Sequence, residues 1–264
     1  MDSTIRVPVT RVGPTDREVV DDHIVGEAPI ELRLGGTPIA VLMRTPGDEA
    51  ELALGFALTE GIILRPSEIA AIRPVAGDDQ GDRWGLELAD GVTVDPEQFR
   101  RNLYTTSSCG VCGKASIDAV RVAAPPLPDG PVVDRQVLFS LPEQMRVRQS
   151  GFTLTGGIHA AAAFTPSGDL VALREDVGRH NAVDKLVGVL AANSWPLPEV
   201  VLLVSGRVSF EMVQKAAVAG ISVVCGVSAA SSLAIELGME LGATVVGFLR
   251  GEECNVYTGE HRIL

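Results

Sequence analysis

The sequence predicts an α/β protein, and three observations carry that prediction. Past residue 131, short apolar runs alternate with amphipathic stretches of roughly a dozen residues, the pattern of a mostly parallel sheet with helices on its faces. Ahead of it, alternating segments punctuated by glycine read as hairpins around one helix, an α+β arrangement. Between the two lies "AAPPLPDGP" at 123–131, the densest proline and glycine punctuation in the chain. The expected domains are therefore a smaller α+β unit over 1–130 and an α/β unit over 131–264.

The elements follow in order. The first twenty-odd residues are polar and lack periodicity, so they read as a tail or an edge strand. Ile30, Leu32 and Leu34 alternate up to Gly35-Gly36, and Ile39, Val41 and Met43 resume beyond it, a hairpin whose glycines supply positive φ. Asp48 is placed to cap a helix carrying Leu52 and Phe56 on one face, with Gly61 to end it. Trp84, Leu86 and Leu88 alternate up to Asp90-Gly91, which predicts a second hairpin around that turn. The small, polar stretch from Tyr104 to Lys114 reads as a loop.

In the rear half, "LPEQMRVRQ" suggests a short helix, and two strands flank the turn Pro166-Ser167-Gly168-Asp169. Val183, Leu186, Val187 and Leu190 recur at i, i+3, i+4 and i+7, an amphipathic helix. "VVLLV" then reads as a buried strand, Ser209 to Gly220 as a helix, "ISVVCGV" as a strand, "ASSLAIELGMELG" as a helix and "TVVGFL" as the last strand.

Composition narrows the function. The 264-residue chain is 46% hydrophobic and 21% charged, the balance of a soluble globular protein. Its formal net charge of −12 excludes a broad footprint for nucleic acid or anionic membrane, though not a local pocket for one phosphorylated ligand. "MDSTIRVPVT" lacks the apolar segment of a signal peptide, and runs such as "VVLLV" are far too short to cross a bilayer. Four cysteines in a chain of this size read as reduced thiols, and the expected location is cytoplasmic.

Two of those cysteines, Cys109 and Cys112, are separated only by Gly110 and Val111. Such a pair can hold a metal, cycle through a disulfide or carry sulfur. Zinc needs two further ligands. Cys225 lies in an apolar strand and Cys254 far beyond it, so no second compact ligand pair exists; His159 and His180 have simpler structural readings. Thioredoxin-like redox chemistry needs an apolar strand before the pair, where "RRNLYTTSS" is polar. Sulfur transfer needs an accessible thiolate among small neighbours, which Thr106, Ser107, Ser108, Gly110 and Gly113 provide, with Lys114 near enough to favour the thiolate. On chemistry alone, sulfur transfer and redox stand level.

Longer motifs decide between them. "TGGIHAAAAF", "EDVGRHNAVDKLVG", "VSGRVSFEMVQKAAVAGI", "VGFLRGEECNVYTG", "SSCGVCGKASID" and, in the front half, "PGDEAELALGFALTEGII" stand in this order-specific setting from about Ile30 to Tyr257. Together they resemble the motif blocks of the FdhD family, the formate dehydrogenase accessory sulfurtransferases. That resemblance implies a sulfurtransferase that takes sulfur from a cysteine desulfurase. It passes the sulfur to the bis(molybdopterin guanine dinucleotide) form of the molybdenum cofactor before insertion into formate dehydrogenase. It further implies that Cys109 carries the persulfide, that Cys112 is the second thiol, and that Phe248, Leu249, Arg250, Gly251, Glu252 and Glu253 bind the cofactor. A homodimer and a cytidine-deaminase-like, three-layer rear domain are expected with it, and no metal of the protein's own. Zinc deaminases carry H-x-E at one helix start and P-C-x-x-C at the next. Here the first offers His180 without that spacing and "SGRVSFEM" has no cysteine, so deamination is not expected.

Several residues also carry a reading of their own beside the resemblance. Arg250, read as ending the final strand, suits bidentate phosphate recognition, with Gly251 allowing close backbone approach. Ser205-Gly206-Arg207 precedes a helix N-terminus, a second candidate anion site. Cys225 reads as core. His159, His180 and Cys254 receive no catalytic role. The competing classes are a cofactor-binding chaperone without sulfur chemistry and a thiol redox or zinc-binding module.

Overall fold

The structure is a computed structural model and describes residues 2–77, 82–96, 99, 124 and 126–264. The start of the chain, read as a tail or an edge strand, is strand but not the edge of a larger sheet: β1 (Thr4–Val12) and β2 (Arg17–Val25) form an antiparallel two-stranded ribbon of their own. Ile5 faces Ile24 and Val9 faces Val20 across the pair, so an apolar alternation was present beneath the intervening charges.

The predicted hairpin forms from β3 (Ala28–Leu34) and β4 (Thr37–Arg44), with Gly35 and Gly36 both at positive φ. β5 (Ile69–Pro74) and β6 (Arg83–Leu88) complete a four-stranded sheet in the order β4-β3-β6-β5. The second predicted hairpin is corrected here. β6 pairs backward, antiparallel to β5, and parallel to β3 through Glu31↔Arg83 to Leu34↔Leu86, while Gly91 turns the chain away. Helix α1 (Glu49–Thr59) follows β4, and Leu52 and Leu58 are fully buried. Asp48 does precede it, but at φ 60 and without a side-chain cap; its carboxylate instead lies 3.6 Å from Arg174 Nε.

The rear half begins with α2 (Arg135–Arg146) and α3 (Ser150–Thr155). Then come β7 (His159–Phe164), β8 (Leu170–Asp176), α4 (Arg179–Ala191), β9 (Val201–Val204), α5 (Phe210–Val218), β10 (Val223–Gly226), α6 (Ser232–Leu241) and β11 (Thr244–Arg250). A twelfth strand, β12 (Glu253–Thr258), which the sequence reading did not foresee, folds back antiparallel on β11. The six strands run β12-β11-β10-β9-β7-β8. Only β9, β10 and β11 are parallel neighbours, so the sheet is mixed rather than mostly parallel.

Both faces of this sheet are covered, which explains its unbroken apolar runs. Along β9, Leu202 and Val204 join the core shared with α4, α5 and α6, whereas Val201 and Leu203 join the core under Leu138, Leu141 and Met145 of α2. The first core does not stop at the rear half. Ile30, Leu32, Leu34 and the α1 residues belong to the same buried cluster, so α1 and the four-stranded sheet form a further layer over α4. Gly55 of α1 and Gly188 of α4 make that contact: a Cβ on either would strike main chain of the other helix.

Candidate functional site

The carboxyl ends of the parallel strands form one rim, and the loops along it are strapped together by main-chain hydrogen bonds. Ser228 N donates to Gly206 O at 3.3 Å, Phe248 N to Ser228 O at 2.9 Å, and Val208 N to Ala229 O at 3.0 Å. The turn after β9, the turn after β10 and the end of β11 therefore hold one another in place. This is where open α/β sheets bind ligands.

Strand β11 overhangs that rim. Its pairing with β10 ends at Cys225↔Val246, yet the strand continues to Arg250, where its strand partner is β12. The register with β12 slips between Gly247 and Arg250, and there Phe248 adopts φ 54. A bulky residue in the left-handed region costs on the order of 1–3 kcal/mol and persists only where its surroundings enforce it. The enforcing contacts are the bond to Ser228 and the tight seat of Gly247, whose absent Cβ would lie 3.0 Å from the Tyr257 ring and 3.1 Å from Ser228 O. The result turns Phe248 outward, with the Arg250 guanidinium 5.5 Å from its ring centroid. A cavity of about 300 Å³ opens here, lined by Phe248, Arg250, Glu253, Cys254 and Asn255. It has room for one nucleoside-sized end of a ligand.

Of the six residues singled out in sequence, Phe248, Arg250 and Glu253 thus line one cavity. Gly251, at φ 59, and the exposed Glu252 form the hairpin turn. The Leu249 side chain points the other way, fully buried in the α2-side core, so it positions the hairpin and presents no side chain to a ligand. Arg250 ends β11 as expected, but at a hairpin tip rather than at the end of the chain's last strand. Cys254, a lining residue with no predicted role, packs partly against the core that holds Cys225. Burial pushes both thiols above their ordinary range, so neither favours the thiolate form. Cys109 and Cys112 lie outside the described residues.

At the β9 end of the rim stand His159, Arg179, His180 and Glu211, brought together by the starts of β7, α4 and α5. Burial, then the neighbouring Arg179 and His180, hold the His159 imidazole below its ordinary value. Burial pushes the Glu211 carboxyl up, but His180 and the Ser209 hydroxyl outweigh it and bring it to about 2. Ser209 Oγ donates to Glu211 at 2.8 Å, while His180 Nε2 lies 3.6 Å from the same carboxylate, beyond hydrogen-bond distance.

Asp176, which sequence reasoning passed over, fixes the start of α4. Its fully buried carboxylate accepts from Gly178 N, Asn181 Nδ2 and Thr45 N, and meets Lys185 Nζ at 2.9 Å. The signal available was its place two residues before the glycine that opens a helix. Lys185, with its other bond to Thr45 O, lies at the floor of a larger cavity of about 650 Å³ walled by Arg148, Arg174 and Glu175. Its charge is thereby spent on structure, as is that of Arg174, which is engaged by Glu51. Among the described residues, no group of three or more His, Cys, Asp or Glu side chains is arranged to hold a metal, and no helix is long and apolar enough to cross a membrane.

Comparison with known proteins places this geometry in context. The FdhD/NarQ family model matches residues 25–264. The chain is 52% identical to the sulfur carrier protein FdhD of Streptomyces avermitilis, over 92% of this chain and 89% of that protein. It is 40% identical to the sulfur carrier protein FdhD of Sulfurisphaera tokodaii, over 98% of each. A crystal structure from Desulfotalea psychrophila, assigned as a formate dehydrogenase accessory protein, superposes with a TM-score of 0.80 at 26% identity, covering 99% of this chain and all of that one.

Proposed function

The chain belongs to the FdhD/NarQ family, and from that premise we propose that it is a sulfur carrier serving formate dehydrogenase. The observation that carries this reading is the match, over nearly the whole chain, to relatives named sulfur carrier proteins. The thiol chemistry supports it: Cys225 and Cys254 are held as neutral thiols, which leaves Cys109 and Cys112 for nucleophilic sulfur chemistry.

In the proposed cycle, the Cys109 thiolate attacks the outer sulfur of a persulfide on a cysteine desulfurase. The S–S bond of the donor breaks, the desulfurase thiolate leaves, and Cys109 carries the persulfide. The outer sulfur then passes to the substrate, the bis(molybdopterin guanine dinucleotide) molybdenum cofactor, before that cofactor enters formate dehydrogenase. Attack by Cys112 on the inner sulfur releases the outer one as hydrosulfide and leaves a Cys109–Cys112 disulfide, which an external thiol reduces before the next turnover.

Phe248 to Glu253 would receive a guanine end of the cofactor. The fit rests on an enforced left-handed Phe248 that presents an aromatic face, an adjacent guanidinium for phosphate, and a carboxylate, Glu253, able to accept from a guanine edge. We further propose that the protein acts in the cytoplasm as a homodimer, and that its rear domain is cytidine-deaminase-like. The layering of α2, the mixed sheet, and α4 to α6 supports that last assignment.

Intact-protein mass spectrometry tests the core of this reading. After incubation with a cysteine desulfurase and cysteine, wild type and Cys112→Ser should gain one sulfur, and Cys109→Ser should gain none. A wild-type protein that stays unloaded by a desulfurase able to load another acceptor would leave a cofactor-escort role in its place.

A further inference from the structure

The β1–β2 ribbon has two unlike faces and two unlike edges. Its ladder runs without a register break, so each directly opposed pair shares a face. One face carries Ile5, Val7, Val9, Val20 and Ile24, and the other carries Thr4, Arg6, Thr10, Asp21 and His23. Among the described residues, none of the five aliphatic side chains joins either buried core, and Ile5 and Ile24 are 47% and 42% exposed. The ribbon joins the body at its base, where Val25 lies 3.9 Å from where a Cβ on Gly157 would stand. A two-stranded ribbon is at best marginally stable in water, and a third strand beside an apolar face is what lets such a sheet hold.

The edges decide where that strand is added. Gly13 N donates to Asp16 O at 3.0 Å and Gly26 N to Ser3 O at 2.8 Å, which sets the alternation of the whole ladder. The odd-numbered residues of β1 therefore bond to β2, while Thr4, Arg6, Pro8, Thr10 and Val12 turn their main-chain groups outward. Pro8 has no N–H, so the β1 edge lacks a donor at its centre and is closed to pairing. On β2 the outward groups are those of Arg17, Val19, Asp21 and His23, a run without proline, and Val19 is 75% exposed.

Charge decides what kind of strand it is. Between Val20 and Ile24 on the apolar face stands Asp22, whose carboxylate accepts from His23 N at 2.9 Å and meets no cation among the described residues. Glu18, on the same face, lies 3.5 Å from Arg11, and both side chains are exposed. A side chain on an added strand would stand about 5 Å from each carboxylate-bearing residue. A second copy pairing over the full length of β2 would instead set Asp21 against the partner's Asp21, like charges directly opposed. A chain of formal net charge −12 also draws a basic segment rather than an acidic one. We propose that the β2 edge is a docking site for an extended basic segment of another protein. That segment adds as a third strand, with an aliphatic residue beside Val20 and lysine or arginine beside Glu18 and Asp22. The site does not rest on the sulfur-carrier reading, and a homodimer formed elsewhere on the surface leaves the edge free.

The test uses full-length protein and a labelled peptide, Thr-Lys-Thr-Val-Thr-Lys-Thr, whose pattern is the same in either strand direction. Fluorescence anisotropy at low ionic strength measures its affinity, and amide hydrogen exchange locates it. The peptide should slow exchange at Val19, Asp21 and His23, whose amides have no ladder partner without it. Asp22→Lys and Val19→Pro should each weaken binding about fivefold or more, the first by opposing charge and the second by removing an outward N–H. Thr10→Pro, on the closed β1 edge, should bind as wild type does. Strand-type chemical shifts at Val9 and Val20 show in each variant that the ribbon is intact, which separates lost binding from lost folding. The same peptide with glutamate in place of lysine should not bind. Binding unchanged in both Asp22→Lys and Val19→Pro would mean attraction to the overall charge and would overturn the proposal, as would a wild type that does not bind the peptide. A wild-type dimer in sedimentation velocity that Val19→Pro turns into a monomer would assign the edge to a second copy, and that overturns it as well.

Discussion

Gly55 of α1 and Gly188 of α4 meet backbone to backbone, Gly55 lying against Asp184 O and Gly188 against Glu51 O. No side chain fits between the two helices at this crossing. Gly55→Ala in an exposed helix would stabilise by about 1 kcal/mol through propensity. Here the new methyl must push α1 off α4, so the expected outcome is a loss of about 3 kcal/mol or more, read as a lower urea midpoint. An unchanged or higher midpoint would mean that α1 does not pack on α4 as described.

Lys215 lies almost fully buried between α1, α4 and α5, bonded to Thr59 Oγ1 at 2.9 Å, Glu60 Oε1 at 2.8 Å and Asp184 Oδ2 at 3.0 Å. Burial alone would push Lys215 down, but Asp184 and Glu60 hold it above its ordinary value. Burial pushes Asp184 up, and Glu60 adds to that against the pull of Lys215, since two carboxylates share one ammonium. Lys215→Met leaves Asp184 buried and unpaired and should cost about 3–5 kcal/mol. Adding Asp184→Asn removes the stranded charge and should restore part of the loss. A double variant as unstable as the sum of the singles would show that the pair does not act as a unit.

These two contacts mark the boundary of what the sequence conveys. The β3–β4 hairpin and helix α4 were legible because Gly35-Gly36 and the Val183–Leu190 spacing are local signals. Strands β9 and β10 were legible because burial on both faces removes alternation altogether. The partners of β6 were not, since its parallel pairing with β3 joins residues far apart in the chain. Strand β12 was missed because Cys254 and Val256 alternate with exposed Glu253 and Asn255 over too few residues to outweigh the turn chemistry beside them. Lys185 and Lys215 sit in amphipathic patterns as if solvent-facing, and only the α1 layer and the Thr45 segment bury them. At the site, resemblance supplied the Phe248–Glu253 stretch, but no local pattern marks Leu249 as inward or Phe248 as left-handed. Asp176, Arg179 and Glu211 come together only through the order of the strands.

Glu211 should leave a signature in acid. Its folded value of about 2 lies below the ordinary 4.5, so its contribution is present above the unfolded value and is lost as pH falls through the window from about 4.5 to 2. The contribution amounts to at most about 3 kcal/mol, because the carboxylate is only partly buried. Glu211→Gln should therefore be less stable than wild type at pH 7 and equal to it near pH 2, with a flatter stability profile between. Parallel profiles for the two proteins in urea titrations across that window would show that the carboxylate gains nothing from Ser209 and His180.

Phe248 separates ligand binding from stability. Its φ of 54 costs a phenylalanine about 1–3 kcal/mol, whereas glycine adopts that conformation freely. Phe248→Gly relieves the strain and removes a ring that is only partly buried, so the two changes oppose each other and the thermal midpoint should stay within a few degrees of wild type. Binding should not be spared. The ring faces the cavity and lies beneath the Arg250 guanidinium, so its loss removes a stacking surface worth about 1–3 kcal/mol for a nucleobase, a five- to hundredfold weakening for GDP. Phe248→Leu supplies the contrast: it keeps the left-handed strain without the aromatic face, and should lose affinity together with a little stability. A Phe248→Gly protein that binds GDP as wild type does would remove the ring from the recognition surface and leave the strained backbone without a ligand-binding purpose.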